Sequence, residues 1–297
     1  MDAQSRSRSI RMLQLVLGGE SYAAIAREAG LARSAVERRV KRVARELQNV
    51  VGVEGVDENV MPDVEFLRTH SAHYLEALEH YRPETAVPTP SRRFTLSDDD
   101  IERALARIAQ HSKQKRRDAA LLLVLLATAA KPIEIARLEV RDYLNADGSV
   151  REESVLRAEA AVTGRARPLY FASRKVVAVI DGYLEDRLRR GAGINGKRAY
   201  RGLDPHSRLF LTDEGAPMAV RVSVGSKGQR HFCRAILDLY QRIFTLAGLN
   251  GISALSARRT VAKRLAERGC NLDQIGAVLG LKGRNAVRNL LAGPPQD

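Results

Sequence analysis

The run Ala119 to Ala130, AALLLVLLATAA, holds a single hydroxyl and no charge in 12 residues, and it restricts the folds open to the whole chain. It is well short of the roughly 20 apolar residues that span a bilayer. A helix that is apolar on every side must then be enclosed by protein, so other elements have to surround it. The polar cluster Lys113, Lys115, Arg116 and Arg117 precedes it, and the buried helix is expected to start at Asp118. With 297 residues the chain can build such a core and a second domain besides.

Residues near 8 to 48 divide into three helical segments. The first carries Ile10, Leu13, Leu15, Val16 and Leu17 and stops at Gly18-Gly19, a helix-ending signal. Ser21 can cap the second, which turns Ile25 and Ala26 inward and ends at Gly30, with Leu31 packed in the turn. The third runs from about Arg33 to Leu47 with Val36, Val40, Val43 and Leu47 on one stripe. Its other face carries Arg33, Ser34, Arg38, Arg39, Lys41, Arg42 and Arg45. The pattern SYAAIAREAGLARSAVERRVKRV resembles the helix-turn-helix of bacterial regulators and sigma-factor DNA-binding regions, where a small residue and a turn glycine let two helices cross closely. That resemblance sends the third helix into the major groove, with Arg33, Ser34, Arg38 or Arg39 at base edges and Arg42 or Arg45 nearer phosphates. The competing reading is a surface helix hairpin with a solvated basic face.

A net charge of +14 suits a polyanionic partner, because Lys and Arg gain affinity by displacing counterions condensed on nucleic acid. Cys233 and Cys270 show no zinc or disulfide spacing and are expected to be small buried residues in a reducing compartment. The N-terminus MDAQSRSRSIR lacks the apolar core of a signal peptide. The chain is therefore expected to be cytoplasmic and nucleoid-associated, with no membrane contact. GAGINGKR has phosphate-loop spacing but ends in Arg198 and follows a helix, so no nucleotide and no cofactor are expected. His70 and His73 are spaced for a shared metal, but no further ligand is evident, and they read as a polar face.

From Gly52 to Val60 the chain reads as a connector, and 62–81 as one helix with Phe66, Leu67, Tyr74, Leu75 and Leu78 on its apolar face. Pro83, Pro88 and Pro90 mark a linker. Ser97 caps a helix opening on three aspartates, Asp98 to Asp100. Strands are expected around Val155 to Val162 and Arg167 to Phe171, with Gly164 at the turn. A helix follows from Val176 to about Leu188, then the loop AGINGKRAYRGLD, and Arg208-Leu-Phe-Leu-Thr leads into an all-helical end. The expected class is mainly α with a small β-sheet, α+β.

Residues 94–293 resemble the catalytic domain of the tyrosine recombinase and phage integrase family. RRDAALLLVLLATAAKPIEIARLEVRDY is similar to its Thr-Gly-Leu-Arg-x-x-Glu-Leu box, keeping Thr128, Glu134 and Ile135 but with Lys131 at the first catalytic Arg. AVTGRARPLYF resembles the hairpin that carries the catalytic Lys; Arg165 or Arg167 occupies that region. RLFLTDEGAPM is similar to the segment leading into the last helical bundle. ISALSARRTVAKRLAERGCNLDQIGAVLGLKGRNAVRNLLAG resembles the segment bearing a His-x-x-Arg pair, a Leu-Gly-His turn and the nucleophilic Tyr, whose places hold Leu255, Arg258, Leu281 and Leu290.

The last tyrosine is Tyr240 and the last histidine His231, so no one-residue slip restores either. The resemblance then implies a DNA-binding scaffold with no catalytic residue and no enzyme activity. Lys131, Arg165, Arg258, Arg259, Lys282, Arg284 and Arg288 keep the positive charge suited to backbone phosphate. For Arg258 a buried structural role, paired with Glu134, is the alternative. Gly293-Pro294-Pro295 ends the last helix, and Val287, Leu290 and Leu291 are expected to pack in cis on one face.

The expected organisation is a helix-turn-helix domain over 1–60, a helix and Pro-containing linker over 61–93, and a recombinase-like domain over 94–297. The expected function is that of a transcriptional regulator on double-stranded DNA, within a mobile genetic element and possible as a homo-oligomer. The alternatives are a divergent recombinase, or an accessory or architectural subunit working with a catalytically complete partner.

Overall fold

Helix signals in the first fifty residues translate directly into structure. The computed structural model describes residues 3–56, 60–81, 95–225, 228–249 and 251–292. Helices α1 (Ala3–Leu17), α2 (Tyr22–Ala29) and α3 (Arg33–Glu46) occupy the three expected segments. Helix α1 starts before the apolar periodicity does, because Arg6 and Ser9 are polar yet buried, Ser9 Oγ donating to Ser5 O at 2.8 Å. Ser21 Oγ caps α2 by accepting from Ala24 N at 3.1 Å. Gly30 closes α2 at φ 64°, a left-handed conformation that costs glycine nothing. Leu31 N then returns to Ala26 O at 2.9 Å, so the turn into α3 is tight and α3 packs across α1 and α2.

Helix α3 runs on into a π-helical turn, Leu47–Val51. The single helix expected over 62–81 is two, α4 (Val64–Thr69) and α5 (Ser71–Glu79), broken at His70. Two side chains compete there with the helical ladder: Thr69 Oγ1 donates to Glu65 O at 2.9 Å, and His70 Nδ1 lies 2.9 Å from Phe66 O. The break turns Leu75 outward, 44% exposed, against the expectation of an apolar contact, while Leu67 and Tyr74 are buried. Gln48 Nε2 donates to the buried Tyr74 hydroxyl at 2.8 Å. One apolar cluster joins Met12 to Tyr81, so α4 and α5 complete the core that α1 to α3 begin. The proline linker lies outside the described residues.

The remaining helices are α6 (Asp98–His111), α7 (Lys115–Thr128), α8 (Pro132–Arg137), α9 (Val140–Tyr143), α10 (Arg174–Arg189), α11 (Arg234–Leu246), α12 (Ala254–Glu267), α13 (Leu272–Leu279) and α14 (Arg284–Ala292). Ser97 and Asp100 form the capping box of α6. Helix α7 contains the apolar run, and α6, α10, α11 and α12 pack around it. Its leucines 121, 122, 123, 125 and 126 are all buried, each worth about 1.5–3 kcal/mol relative to exposure. The helix opens at Lys115, ahead of the expected Asp118, because Arg117 is itself buried, 3% exposed, between Asp118 and Asp213.

Strands β1 (Glu153–Leu156) and β2 (Arg167–Tyr170) pair antiparallel, Leu156 opposite Arg167. The first strand was expected to reach Val162. It stops at Leu156 because the amides of Ala160 and Ala161 fold back on Arg157 O, burying both alanines. A second hairpin, β3 (Arg221–Gly225) with β4 (Gly228–Phe232), interrupts the stretch expected to be all-helical. The architecture is thus mainly helical with two small antiparallel sheets. No described helix is long and apolar enough to cross a membrane.

The N-terminal helices dock on this second body through a polar seam. Arg234, at the start of α11, donates to Val51 O at 2.8 Å and Gly52 O at 3.2 Å. Gly52 is needed for two reasons: φ is 77°, and an added Cβ would meet Leu237 Cδ1 at 2.5 Å. Arg221 reaches Glu54 at 3.4 Å and Glu76 at 3.1 Å. His73, read as a plain polar residue, has its ligand atom within 4.8 Å of those of Glu54 and Glu76. Arg221 pairs with both of those carboxylates, and the charge of Arg234 also acts on them.

Candidate nucleic-acid interface

Helix α3 buries Val36, Val40, Val43 and Ala44, which leaves its basic side chains outside. Arg33, Ser34, Arg38 and Arg42 are exposed, Arg39 and Arg45 half-buried. Its first turn holds no acidic residue and has no side-chain cap, although a carboxylate is what a helix N-terminus favours. Lys41 donates to Glu37 Oε1, one turn earlier, at 2.6 Å.

A second basic region forms where α7, α8, β2, α12 and α13 meet. Arg258, on α12, is 2% exposed. Its Nη1 donates to Ala129 O at 2.5 Å and its Nη2 to Leu279 O at 2.9 Å. Arg167, on β2, donates from Nη1 to Val278 O at 2.5 Å and from Nη2 to Glu134 Oε2 at 2.8 Å. Two guanidiniums thus complete consecutive carbonyls at the C-terminus of α13, where the helix dipole favours positive charge. Ala129 ends α7 at φ 51°, a left-handed conformation costing a non-glycine residue about 1–2 kcal/mol. Its buried methyl and its carbonyl, held by Arg258, keep it there.

Glu134 is the buried anion of this junction, accepting also from Lys131 N at 2.8 Å and Val162 N at 3.1 Å. Burial works to raise its pKa, but the Arg167 charge and these hydrogen bonds outweigh it and hold the carboxyl below its ordinary value. Lys131, half-buried, and Arg165, exposed, lie two residues from Ala129 and Arg167 of the junction, and the exposed Lys282 lies three from Leu279. Arg284 makes a bidentate surface pair with Asp273, at 3.0 and 2.5 Å.

Beside the buried guanidiniums the filling is apolar. Leu255, Leu290, Leu279, Ala129, Ile275 and Val287 form one cluster, with Leu281 packed against it. Leu290 is 7% exposed, whereas Leu291, expected on the same face, is 36% exposed. Tyr240 lies elsewhere, inside the core beside α7, donating to Leu121 O at 3.0 Å, and burial pushes its phenol well above the ordinary pKa.

Residues 95–289, about two-thirds of the chain, match the sequence profile of the phage integrase family. The chain belongs to the phage integrase family. Among solved structures, XerH site-specific recombinase bound to a palindromic difH substrate is 18% identical, with a TM-score of 0.45, over 66% of this chain and 48% of that one. XerA recombinase is 14% identical, with a TM-score of 0.46, over 96% of this chain and 84% of that one. The Tn1549 transposon integrase with transposon right end DNA is 14% identical, with a TM-score of 0.46, over 98% and 81%. The chain spans about half the length of the XerH chain it matches. No curated protein matches it.

Within this integrase-family chain the expected site residues separate by burial. Arg258 was expected either to touch phosphate or to pair with Glu134. It is enclosed and bound to carbonyls, and the carboxylate accepts from Arg167 instead. Reading the sequence placed Arg117 only in the polar cluster ahead of α7, and it did not single out Arg221 and Arg234 at the seam. Arg117 pairs with its neighbour Asp118 and with the distant Asp213, whereas the partners of Arg221 and Arg234 lie more than a hundred positions away, so no local pattern marks those two. Arg45 and Arg259 come together from opposite ends of the chain, near enough that the charge of one acts on the other.

Proposed function

We propose that this integrase-family member is a sequence-specific double-stranded DNA-binding protein, a transcriptional regulator derived from a tyrosine recombinase and without strand-cleavage activity, carried within a mobile genetic element. The observation that carries the reading is the apolar cluster around Leu290 and Leu255. Cleavage of the family's kind needs a phenol to form the phosphotyrosine bond, and a leucine has no atom that can do so. Leu255 and Leu281 can donate no hydrogen bond to a phosphorane oxygen. Arg165 is a poor acid for the leaving oxygen because a guanidinium holds its proton far more tightly than an ammonium does. Sequence readout is assigned to the exposed face of α3, whose uncapped and acid-free first turn offers amides and Arg33 to an anion.

A suicide-substrate assay that traps covalent protein–DNA adducts tests the loss of cleavage; none should form, and any adduct would refute it. Arg38→Ala tests the readout. It should weaken specific binding about 10- to 100-fold, the range of one lost base contact, and leave non-specific binding nearly unchanged. Occupancy confined to the ends of a mobile element, and absent from promoters, would favour the accessory-subunit role.

A further inference from the structure

Folding gives His73 the companions that its own stretch of sequence lacks. Helix α5 carries His73 and Glu76 at i, i+3 spacing, one above the other on one face. The turn after the π-helical segment brings Glu54 against them, and that turn is fixed on either side of Glu54. Gly52 and Gly55 take φ values of 77° and 74°, and Val56 N donates to Val53 O at 3.1 Å. One donor atom from each of the three side chains then lies within 4.8 Å of the other two. Among the described residues no group hydrogen-bonds the His73 ring. The Glu54 side chain is only 9% exposed, yet Arg221, 57% exposed, reaches it at no less than 3.4 Å. A guanidinium that open to water holds a carboxylate weakly.

An imidazole facing two carboxylates is a mixed nitrogen and oxygen donor set. Zinc accepts that set, whereas magnesium and calcium favour oxygen alone. Ligand atoms around a tetrahedral zinc stand roughly 3.4 Å apart, so a small turn of three side chains, two of them partly exposed, closes the site. We infer that Glu54, His73 and Glu76 bind one divalent transition-metal ion, zinc by its chemistry, in competition with Arg221 for the two carboxylates. The ion and the Arg221 tie exclude one another, because both neutralise the same charges. Metal binding therefore removes one of the links by which α11 and the β3–β4 hairpin hold the N-terminal helices. Arg234 stays in place on the carbonyls of Val51 and Gly52, and its charge, which also acts on Glu54 and Glu76, limits the affinity. The site lies wholly within the N-terminal body and does not depend on the proposed DNA binding.

The test is a titration of the full-length protein with Co2+, followed by visible absorption, with Zn2+ and then Mg2+ added as competitors and no duplex present. One Co2+ should bind per chain with the strong absorption of a four-coordinate ion, and Zn2+ should displace it, as the order of affinities requires. Mg2+ should not. Loss of a hydrogen-bond partner of a ligand already costs 10- to 100-fold in affinity, so His73→Ala and Glu76→Gln should each cost at least about 100-fold. His73 is partly exposed on a helix that favours alanine, and Glu76→Gln keeps the shape of the side chain, so both variants retain the fold. Arg221→Gln should instead tighten binding about 3- to 10-fold, the strength of the exposed ion pairs that the metal no longer has to break. Absence of a one-to-one complex in the wild type would overturn the inference. Binding that survives His73→Ala would place the ion elsewhere, and displacement by Mg2+ as readily as by Zn2+ would make this an oxygen site; either result refutes it. An unchanged or lower affinity in Arg221→Gln would refute the competition.

Discussion

Arg258→Ala is expected to lower the unfolding free energy by about 3–5 kcal/mol, because two buried carbonyls lose a charged donor and a cavity opens. The carbonyls are those of Ala129 and Leu279, at the C-termini of α7 and α13. Ala129 is already in an unfavourable left-handed conformation, so the end of α7 should fray first. At about 2–4 °C per kcal/mol for a body of this size the melting temperature should drop by roughly 10 °C. Urea titration and a thermal melt read both quantities. Arg258→Lys should recover little, since one ammonium cannot reproduce the two-pronged geometry. A variant that melts like the wild type but binds DNA with a shallower salt dependence would show that the guanidinium acts on phosphate and not on the scaffold.

Arg167→Met should cost a similar amount at neutral pH, about 3–5 kcal/mol, by leaving Glu134 ionised and buried without its cation. The dependence on pH gives this prediction its signature. In the wild type the Glu134 carboxyl is held below its ordinary pKa, so its stabilisation is complete above the ordinary carboxylate range and is lost as pH falls through the lowered value. In the variant burial dominates and the same carboxyl titrates higher. As the pH falls it protonates and escapes the penalty. The gap in urea midpoint between variant and wild type should therefore narrow between about pH 7 and pH 4. A gap independent of pH would mean that the loss comes from the carbonyl of Val278 and not from Glu134.

The helices with explicit punctuation were legible one by one. Ser21 and Gly30 bound α2, and Ser97 starts α6, because each end was set by a side chain or a backbone preference local to it. The failures share a cause. The helix breaks at His70, where the Thr69 and His70 side chains bond carbonyls four residues back, and β1 stops early because Ala160 and Ala161 are drawn into the core. The β3–β4 hairpin lies where only helices were expected. In each case tertiary contacts or competing hydrogen bonds outweighed a propensity of a few tenths of a kcal/mol per residue.

The order of residues alone determined that α7 must be enclosed, that a basic face rides on α3, and that leucines fill the places at which the family resemblance sets an imidazole and a phenol. Those are properties of side-chain chemistry and periodicity, which need no partner to be defined. Only the tertiary structure decided which of the many arginines are scaffold and which are open to an anion. Arg117, Arg167 and Arg258 are held by carboxylates or carbonyls in the interior, whereas Arg38 and Arg165 face solvent. A guanidinium carries the same charge in either setting, and what separates the two roles is the set of acceptors that distant segments bring within about 3 Å.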